Sequence, residues 1–288
     1  MSQETIRPVK WTLPIITLVG VAAAIVTAFF GSGALGGTPV SEAAGGALSA
    51  DATPVAPAGS AFSIWSVIYL GLAAYALWQL TPTARRSSRQ RALRPWALLS
   101  ALLNAAWIWA VQFDLLIGSV VVIVLLLAVL IRIMFILGAP RTGGWLEVLL
   151  VDGTFGLYMG WVSVATLANT YALLVAEGIE LFRGIPLGVV GIVVAAGIGV
   201  ATALISRGRI APGLATAWGL AWVAVGRTEG QYESQVLVWT AAVAAAVVLL
   251  VAVLTRVRSG ARIVPQATAD ATAPEERSGI VARPVRGN

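Results

Sequence analysis

The chain has 288 residues, of which 58% are hydrophobic and only 11% charged. Soluble chains carry about 25% charged residues, so this one lacks the groups for a water-facing surface and reads as an integral membrane protein. It has neither cysteine nor histidine, which excludes disulfides, thiolate nucleophiles, cysteine metal sites and a Ser-His-Asp triad, and removes the commonest general base and the usual zinc and haem ligands. Lys10 is the only lysine, so Schiff-base chemistry and a phosphate-binding P-loop are excluded too. No enzyme is expected. The formal charge is +6, but the arginines lie between apolar segments and form no stripe along a phosphate backbone, so no nucleic acid is expected as partner.

A spanning helix needs roughly 20 mostly apolar residues, and eight segments reach or approach that. The first covers residues 11–30 and follows Arg7 and Lys10. Its apolar run exceeds a usual signal-peptide h-region, so it reads as a retained span, with cleavage as the alternative. Residues 31–59 are rich in Gly, Ala, Pro and Ser and read as a flexible loop. The second segment, 61–80, is followed by the cluster Arg85, Arg86, Arg89, Arg91 and Arg94. Next come segments 95–112 and 115–137, then Arg141, then segments 145–173, 185–206, the short 212–225 and 236–254. Residues 256–288 are expected to form a disordered tail. The expected fold class is all-α: a polytopic transmembrane bundle of about eight helices. It divides into a five-helix core over 1–176, a three-helix extension over 177–255 and the tail.

Basic residues mark the cytoplasmic side of a membrane protein. With the N-terminus inside, Arg7, Lys10, the cluster at 85–94, Arg141, Arg207, Arg209, Arg256, Arg258 and Arg262 all fall on one side. The other side holds only Arg183 and Arg227, beside Glu42, Asp51, Asp114, Glu177, Glu180, Glu229 and Glu233. Eight crossings with both termini cytoplasmic satisfy the rule at every loop. The alanine- and arginine-rich usage suggests a bacterial inner membrane, with membrane lipid as the surrounding partner.

Tryptophan is abundant, with 11 copies. Trp11, Trp96 and Trp145 suit an interfacial belt at helix ends. The fifth segment aligns Tyr158, Trp161, Ala165 and Asn169 at spacings of three and four, on one helix face. A second stripe there holds Asp152, Met159, Ser163, Thr166 and Thr170, so the helix should face the bundle interior. The second segment offers Trp65, Tyr69, Leu72 and Ala76, and the third Asn104 and Trp107. Converging, these faces would enclose a pocket for a flat apolar ligand; helix packing alone is the other reading. Gly156 and Gly160 form a Gly-x-x-x-Gly suited to close helix approach. Charges inside a bilayer need partners. Folding the fourth and fifth segments as a hairpin about Arg141 puts Arg132 level with Asp152, so an Arg132–Asp152 pair is predicted, with Glu147 as alternative acceptor. Its role would be a lock between two helices, or else a proton or ion relay.

Three stretches carry a family resemblance: Phe62-Ser-Ile-Trp-Ser-Val-Ile-Tyr69, Leu103-Asn-Ala-Ala-Trp107, and the fifth-segment Trp161, Ala165 and Asn169. In this order, with a long loop after the first helix, they resemble the TspO/MBR family, the tryptophan-rich sensory proteins related to the mitochondrial translocator protein. The resemblance covers about residues 11–175. It implies a membrane protein that binds tetrapyrroles, sterols or aromatic ligands between its helices under the loop after helix one, and that often forms a homodimer. By matched position the site would comprise Trp65, Tyr69, Asn104, Trp107, Trp161, Ala165 and Asn169, which agrees with the faces above. The chain departs from the family's pattern at Ser63-Ile64, where a proline usually stands, at Ile108, where a serine does, and in its three further helices. The expected function is a sensor or carrier of porphyrin-like ligands, with Asn104 and Asn169 orienting the ligand's polar edge. No cofactor is expected beyond porphyrin or haem as ligand; without histidine, a metal-free porphyrin is at least as plausible. A secondary transporter is the alternative function, although no internal repeat is visible. Trp218 and Trp222 could give the extension a contact face for partners.

Overall fold

The computed structural model describes residues 11–32, 38–40 and 42–261, with side chains through residue 259. Eight long helices account for the predicted segments in order. They are α1 (Thr12–Gly31), α2 (Ile64–Trp78), α3 (Ser88–Gln112), α4 (Leu116–Ile136), α5 (Gly144–Ala176), α6 (Ile185–Ile205), α7 (Ile210–Gly226) and α8 (Gln235–Ala261). Six spans, one of them α2 with the 3-10 turn before it, are long and apolar enough to cross a bilayer. The other two fall short for identifiable reasons. Helix α3 carries arginines in its first turns and Asn104 and Gln112 further on, and α7 has 17 residues, a rise of about 26 Å against a hydrocarbon core of about 30 Å. The protein is a multi-pass, all-α membrane protein.

Two boundaries and the loop after α1 differ from expectation. Helix α3 begins at Ser88 and not at Pro95, because Ser87 caps it by accepting from the Gln90 amide at 3.4 Å. Its first two turns are helical without being apolar, a distinction hydropathy cannot make. Helix α8 continues to Ala261, so its last turns replace the start of the expected tail; residues 262–288 lie outside the described residues. Between α1 and α2 part of the loop is packed: Val40, Ala43, Val55 and Ala56 are all buried.

Helix α3 lies between α1 and α4, α5 packs on α4 and α2, and α6, α7 and α8 pack on one another. Helix α7 joins the two groups. It runs along α5, and its residues enter both apolar cores: Ala215 belongs to the first, Ala217, Leu220 and Val223 to the second. The α5–α7 contact is as close as backbones allow. A Cβ on Gly156 would lie 2.8 Å from the Ala211 Cβ, and one on Gly160 would overlap the Pro212 carbonyl. Gly219 reciprocates, 2.9 Å from Val164. In a bilayer, where lipid is as apolar as leucine, such close approach supplies the packing energy.

The chain's basic loops gather at one end of the bundle. Arg85 stacks on Trp11 at 3.8 Å, which brings the start of α1 to the arginine cluster before α3, and Gly208 abuts the backbone of Arg256. The stretch over residues 42–61 lies at the opposite end, the lid end.

The glycine contact predicts a specific asymmetry. Gly160→Ala should destabilise the protein by about 1–3 kcal/mol through overpacking, read as a lowered thermal midpoint in detergent. Gly197→Ala, inside α6 where an added Cβ meets nothing within 4 Å, should leave the midpoint unchanged or raise it slightly, since alanine is the better helix former. Equal behaviour of the two would remove the α5–α7 seam from the account.

Candidate functional site

At the arginine-rich end the chain buries a closed charge cluster. A π-helical stretch, Val148–Gly153, opens α5 and sets Asp152 towards the bundle. Arg89 from α3 donates to both Asp152 oxygens at 2.9 and 3.0 Å, Arg141 from the α4–α5 connection at 3.0 and 3.2 Å, and Arg209 from the α6–α7 connection at 2.6 Å. Glu147 accepts from Arg89, from Gln90 at 2.9 Å and from the Thr142 and Gly143 amides at 2.8 and 2.6 Å. Arg89 and Arg209 also share the Leu137 carbonyl. All four carboxylate oxygens are bonded. The hydrogen bond to Asp152 raises the pKa of Arg141, the more open arginine. Burial lowers that of Arg209, with Asp152 opposing.

The predicted Arg132–Asp152 pair does not form. Arg132 is exposed on α4 and lies 5.8 Å over the Trp96 ring. Asp152 lies level instead with the Leu137 carbonyl, which shares Arg89 and Arg209 with it, and Arg132 is on another side of α4. The buried face of α4 runs through Ile123, Leu126, Leu130 and Ile133, whereas Arg132 falls with the exposed Leu125, Ile131 and Phe135. There its long stem can carry the charge to the headgroup level. Glu147, its suggested alternative acceptor, is taken by Arg89.

Near the lid end an aromatic cavity of about 290 Å³ opens among α1, α2, α3 and the loop. Its lining includes Phe29, Val40, Phe62, Trp65, Tyr69, Trp107 and Ile108. The turn Gly59–Ser63 runs directly into α2, so Phe62, Trp65 and Tyr69 follow at spacings of three and four on one face. Trp65 stacks on Tyr69 with centroids 5.3 Å apart, and meets Tyr158 and Trp161 edge-on at 5.7 and 6.5 Å. Beyond Phe62 and Trp107, which line both spaces, lies a smaller cavity of about 30 Å³ bounded by Trp161, Ala165, Asn169 and the loop residues Leu48, Thr53 and Ala56.

The predicted site residues therefore divide. Trp65, Tyr69 and Trp107 face the larger cavity, and Trp107, Trp161, Ala165 and Asn169 the smaller. Tyr158 lines neither; it is fully buried and donates to the Ser100 carbonyl at 2.9 Å. Asn169 is committed to the scaffold: it accepts from the Trp107 indole at 2.7 Å and donates to Ser119 at 3.1 Å, tying α3, α4 and α5 together. The expectation that it orients a ligand is revised accordingly. Asn104 donates to the Tyr69 hydroxyl at 2.9 Å and keeps an unpartnered carbonyl oxygen. Whichever way its amide is placed, one polar atom stays free. Among the described residues the Trp161 indole N–H is buried without an acceptor. Sequence reasoning missed Phe29, Val40 and Phe62 as lining residues, since an isolated apolar residue carries no signal of its own. It also missed Arg89, Arg141 and Arg209 as partners of Asp152, because each reads simply as a cytoplasmic-loop arginine.

Fold and site together define a polytopic helical membrane protein with a lidded aromatic cavity between its helices. The model of the TSPO-like protein family matches residues 6–254, through all eight helices, and the chain belongs to that family. No match is found among curated proteins or among solved structures.

The charge cluster predicts opposite outcomes for the two intramembrane charges. Among the described residues Asp152→Asn removes the only carboxylate of the largely buried Arg209 and one of the two that Arg89 holds, and should cost about 3–5 kcal/mol, seen as a large drop in thermal midpoint. Arg132→Gln should stay within about 1 kcal/mol of wild type. A large loss from the second substitution would contradict its lipid-facing placement.

Proposed function

We propose that the aromatic cavity binds a flat, hydrophobic ligand of tetrapyrrole type, and that the protein acts as a sensor or carrier for it and not as an enzyme. One observation supports this most directly: an aromatic wall stands beside buried polar atoms that have no protein partner. Trp65 and Tyr69 offer a stacked surface, Phe62 and Trp107 the sides, and offset stacking of this kind adds about 0.5–1.5 kcal/mol per ring pair beyond area burial. Among the described residues the Trp161 N–H lacks an acceptor, and with Asn104 donating to it the Tyr69 hydroxyl keeps its own proton to donate. A buried donor without a partner costs about 1–3 kcal/mol, so a ligand carbonyl or carboxylate that supplied one would recover it. These donors take over the orienting role first expected of Asn169.

The larger cavity sits at the low end of the roughly 300–1,000 Å³ usual for ligand pockets. A full tetrapyrrole would join it to the smaller cavity by turning Phe62 and lifting the loop. With no histidine in the chain, haem iron would find only oxygen or thioether ligands, which favours a metal-free ring. The basic asymmetry of the loops supports a cytoplasmic arginine-rich end, with the cavity towards the opposite side.

Titration with protoporphyrin IX, followed by quenching of tryptophan fluorescence, checks this. Wild type should quench saturably. Trp65→Leu should weaken binding about tenfold, the equivalent of about 1.4 kcal/mol, and Trp161→Phe, which removes only the indole N–H, should weaken it by a similar factor. Identical, non-saturating quenching in all three proteins would mean partition into detergent, and the ligand reading would fall.

A further inference from the structure

One stretch, residues 50–61, is tied to α7 and the turn after it by a concentrated set of bonds. Arg227, the C-cap of α7, is fully buried. Its guanidinium donates to the Thr53 carbonyl at 2.9 Å, to the Ala50 carbonyl and, at 3.5 Å, to the Ala56 carbonyl, and it lies 5.5 Å over the Tyr232 ring. The Ala58 amide donates to the Trp222 carbonyl at 3.0 Å, the Trp218 indole to the Ala61 carbonyl at 3.0 Å, and the Gln231 amide to Asp51 at 3.3 Å. The same stretch contributes Thr53, Ala56 and Pro57 to the smaller cavity and Gly59 to the larger.

We infer that Arg227 is a positioning residue that latches this lid over the cavities, so that the three-helix extension controls ligand entry and release. The inference rests on the ligand reading above. Residues 50–58 form no regular element, and carbonyls without a ladder need other donors; one guanidinium bonds three of them at once, the Thr53 carbonyl also accepting from the Ala56 amide at 3.2 Å. Charge-assisted bonds of this kind are about twice as strong as neutral ones. The latch also differs in kind from the cluster at the other end. Among the described residues Arg227 makes no salt bridge, so lifting the lid strands no buried carboxylate, and the freed guanidinium and carbonyls can hydrate. The Asp152 cluster opens only at the expense of unpaired buried charge. One end of α7 is thus a fixed anchor and the other a releasable one.

Hydrogen exchange in lipid nanodiscs tests the latch without any ligand. In Arg227→Gln the amides of residues 50–61 should exchange at least about tenfold faster than in wild type, while those of α3 and α5 stay protected; Arg227→Lys, with fewer donors, should fall between. The second test uses the absence of cysteine from the chain. A Cβ on Gly226 would lie 3.6 Å from the Ala58 Cα, so Ala58→Cys with Gly226→Cys can form a single disulfide that pins the lid. Oxidised, this variant should take up and release protoporphyrin IX about tenfold more slowly than reduced, whereas Arg227→Gln should speed both steps and move the equilibrium constant less. Unchanged loop exchange in Arg227→Gln overturns the latch, as does porphyrin kinetics indifferent to the disulfide. If no form binds porphyrin saturably, the ligand reading is what fails, and the exchange result alone decides whether Arg227 holds the lid.

Discussion

Asp152 accepts from three arginines that arrive from three separate parts of the chain, and the arrangement of the bundle follows from satisfying it. A carboxylate removed from water must be paired and hydrogen-bonded. Here the partners come from the start of α3, the α4–α5 connection and the α6–α7 connection, so the cluster closes only when core and extension are docked. The π-helical stretch that carries Asp152 turns its side chain to the meeting point, in keeping with the use of such distortions at special positions. Arg209 then begins α7 at a fixed place, and the glycine-lined seam against α5 leaves the helix little freedom to slide.

That placement determines what the other end of α7 can do. Trp218, Trp222 and Arg227 all reach the covering loop, while a different network, Trp107 with Asn169 and Ser119, fixes the wall beneath it. The framework around Asn169 is held by α3, α4 and α5, the stacked Trp65 and Tyr69 by α2, and the covering loop by α7. Asn169 illustrates how one residue can sit in a site and serve its framework. It borders the smaller cavity, yet its carbonyl oxygen and its amide are both engaged by protein.

Much of this was legible in the sequence, for reasons that also define the limits. Bilayer thickness fixes helix length, and the absence of water forces backbone polar groups to pair within each span, so all eight helices could be placed from hydropathy and charge alone. Helical spacing correctly grouped Trp65 with Tyr69 and Trp161 with Ala165. Arg132 shows where such reasoning stops. Spacing about a hairpin gives only a coarse height in the membrane and not the direction a residue faces, and only the packing of α4 decides that. The partners of Asp152 were hidden because an arginine beside an apolar segment looks the same whether it faces headgroups or a buried acid. The burial of loop residues such as Val55 and Ala56 was not foreseen because Gly, Ala, Pro and Ser signal only irregular backbone, and irregular backbone can still be bonded by a distant side chain.

Arg227 left a trace that charge counting exposes but cannot interpret. It is one of two arginines on the acidic side of the membrane, and the other, Arg183, is accounted for by an exposed pair with Glu180 at 3.2 Å. Arg227 has no such pair because its work is with backbone. The shortness of α7, which made it the least convincing span, belongs to the same design. A helix of 17 residues stops at Gly226, below the full height of its neighbours, and the space above is filled by the lid: a Cβ on Gly226 would lie 3.2 Å from the Ala58 amide nitrogen. A longer α7 would occupy the volume the lid now takes and would carry Arg227 past the carbonyls it binds. The feature that weakens α7 as a membrane span is the one that lets it support a cover.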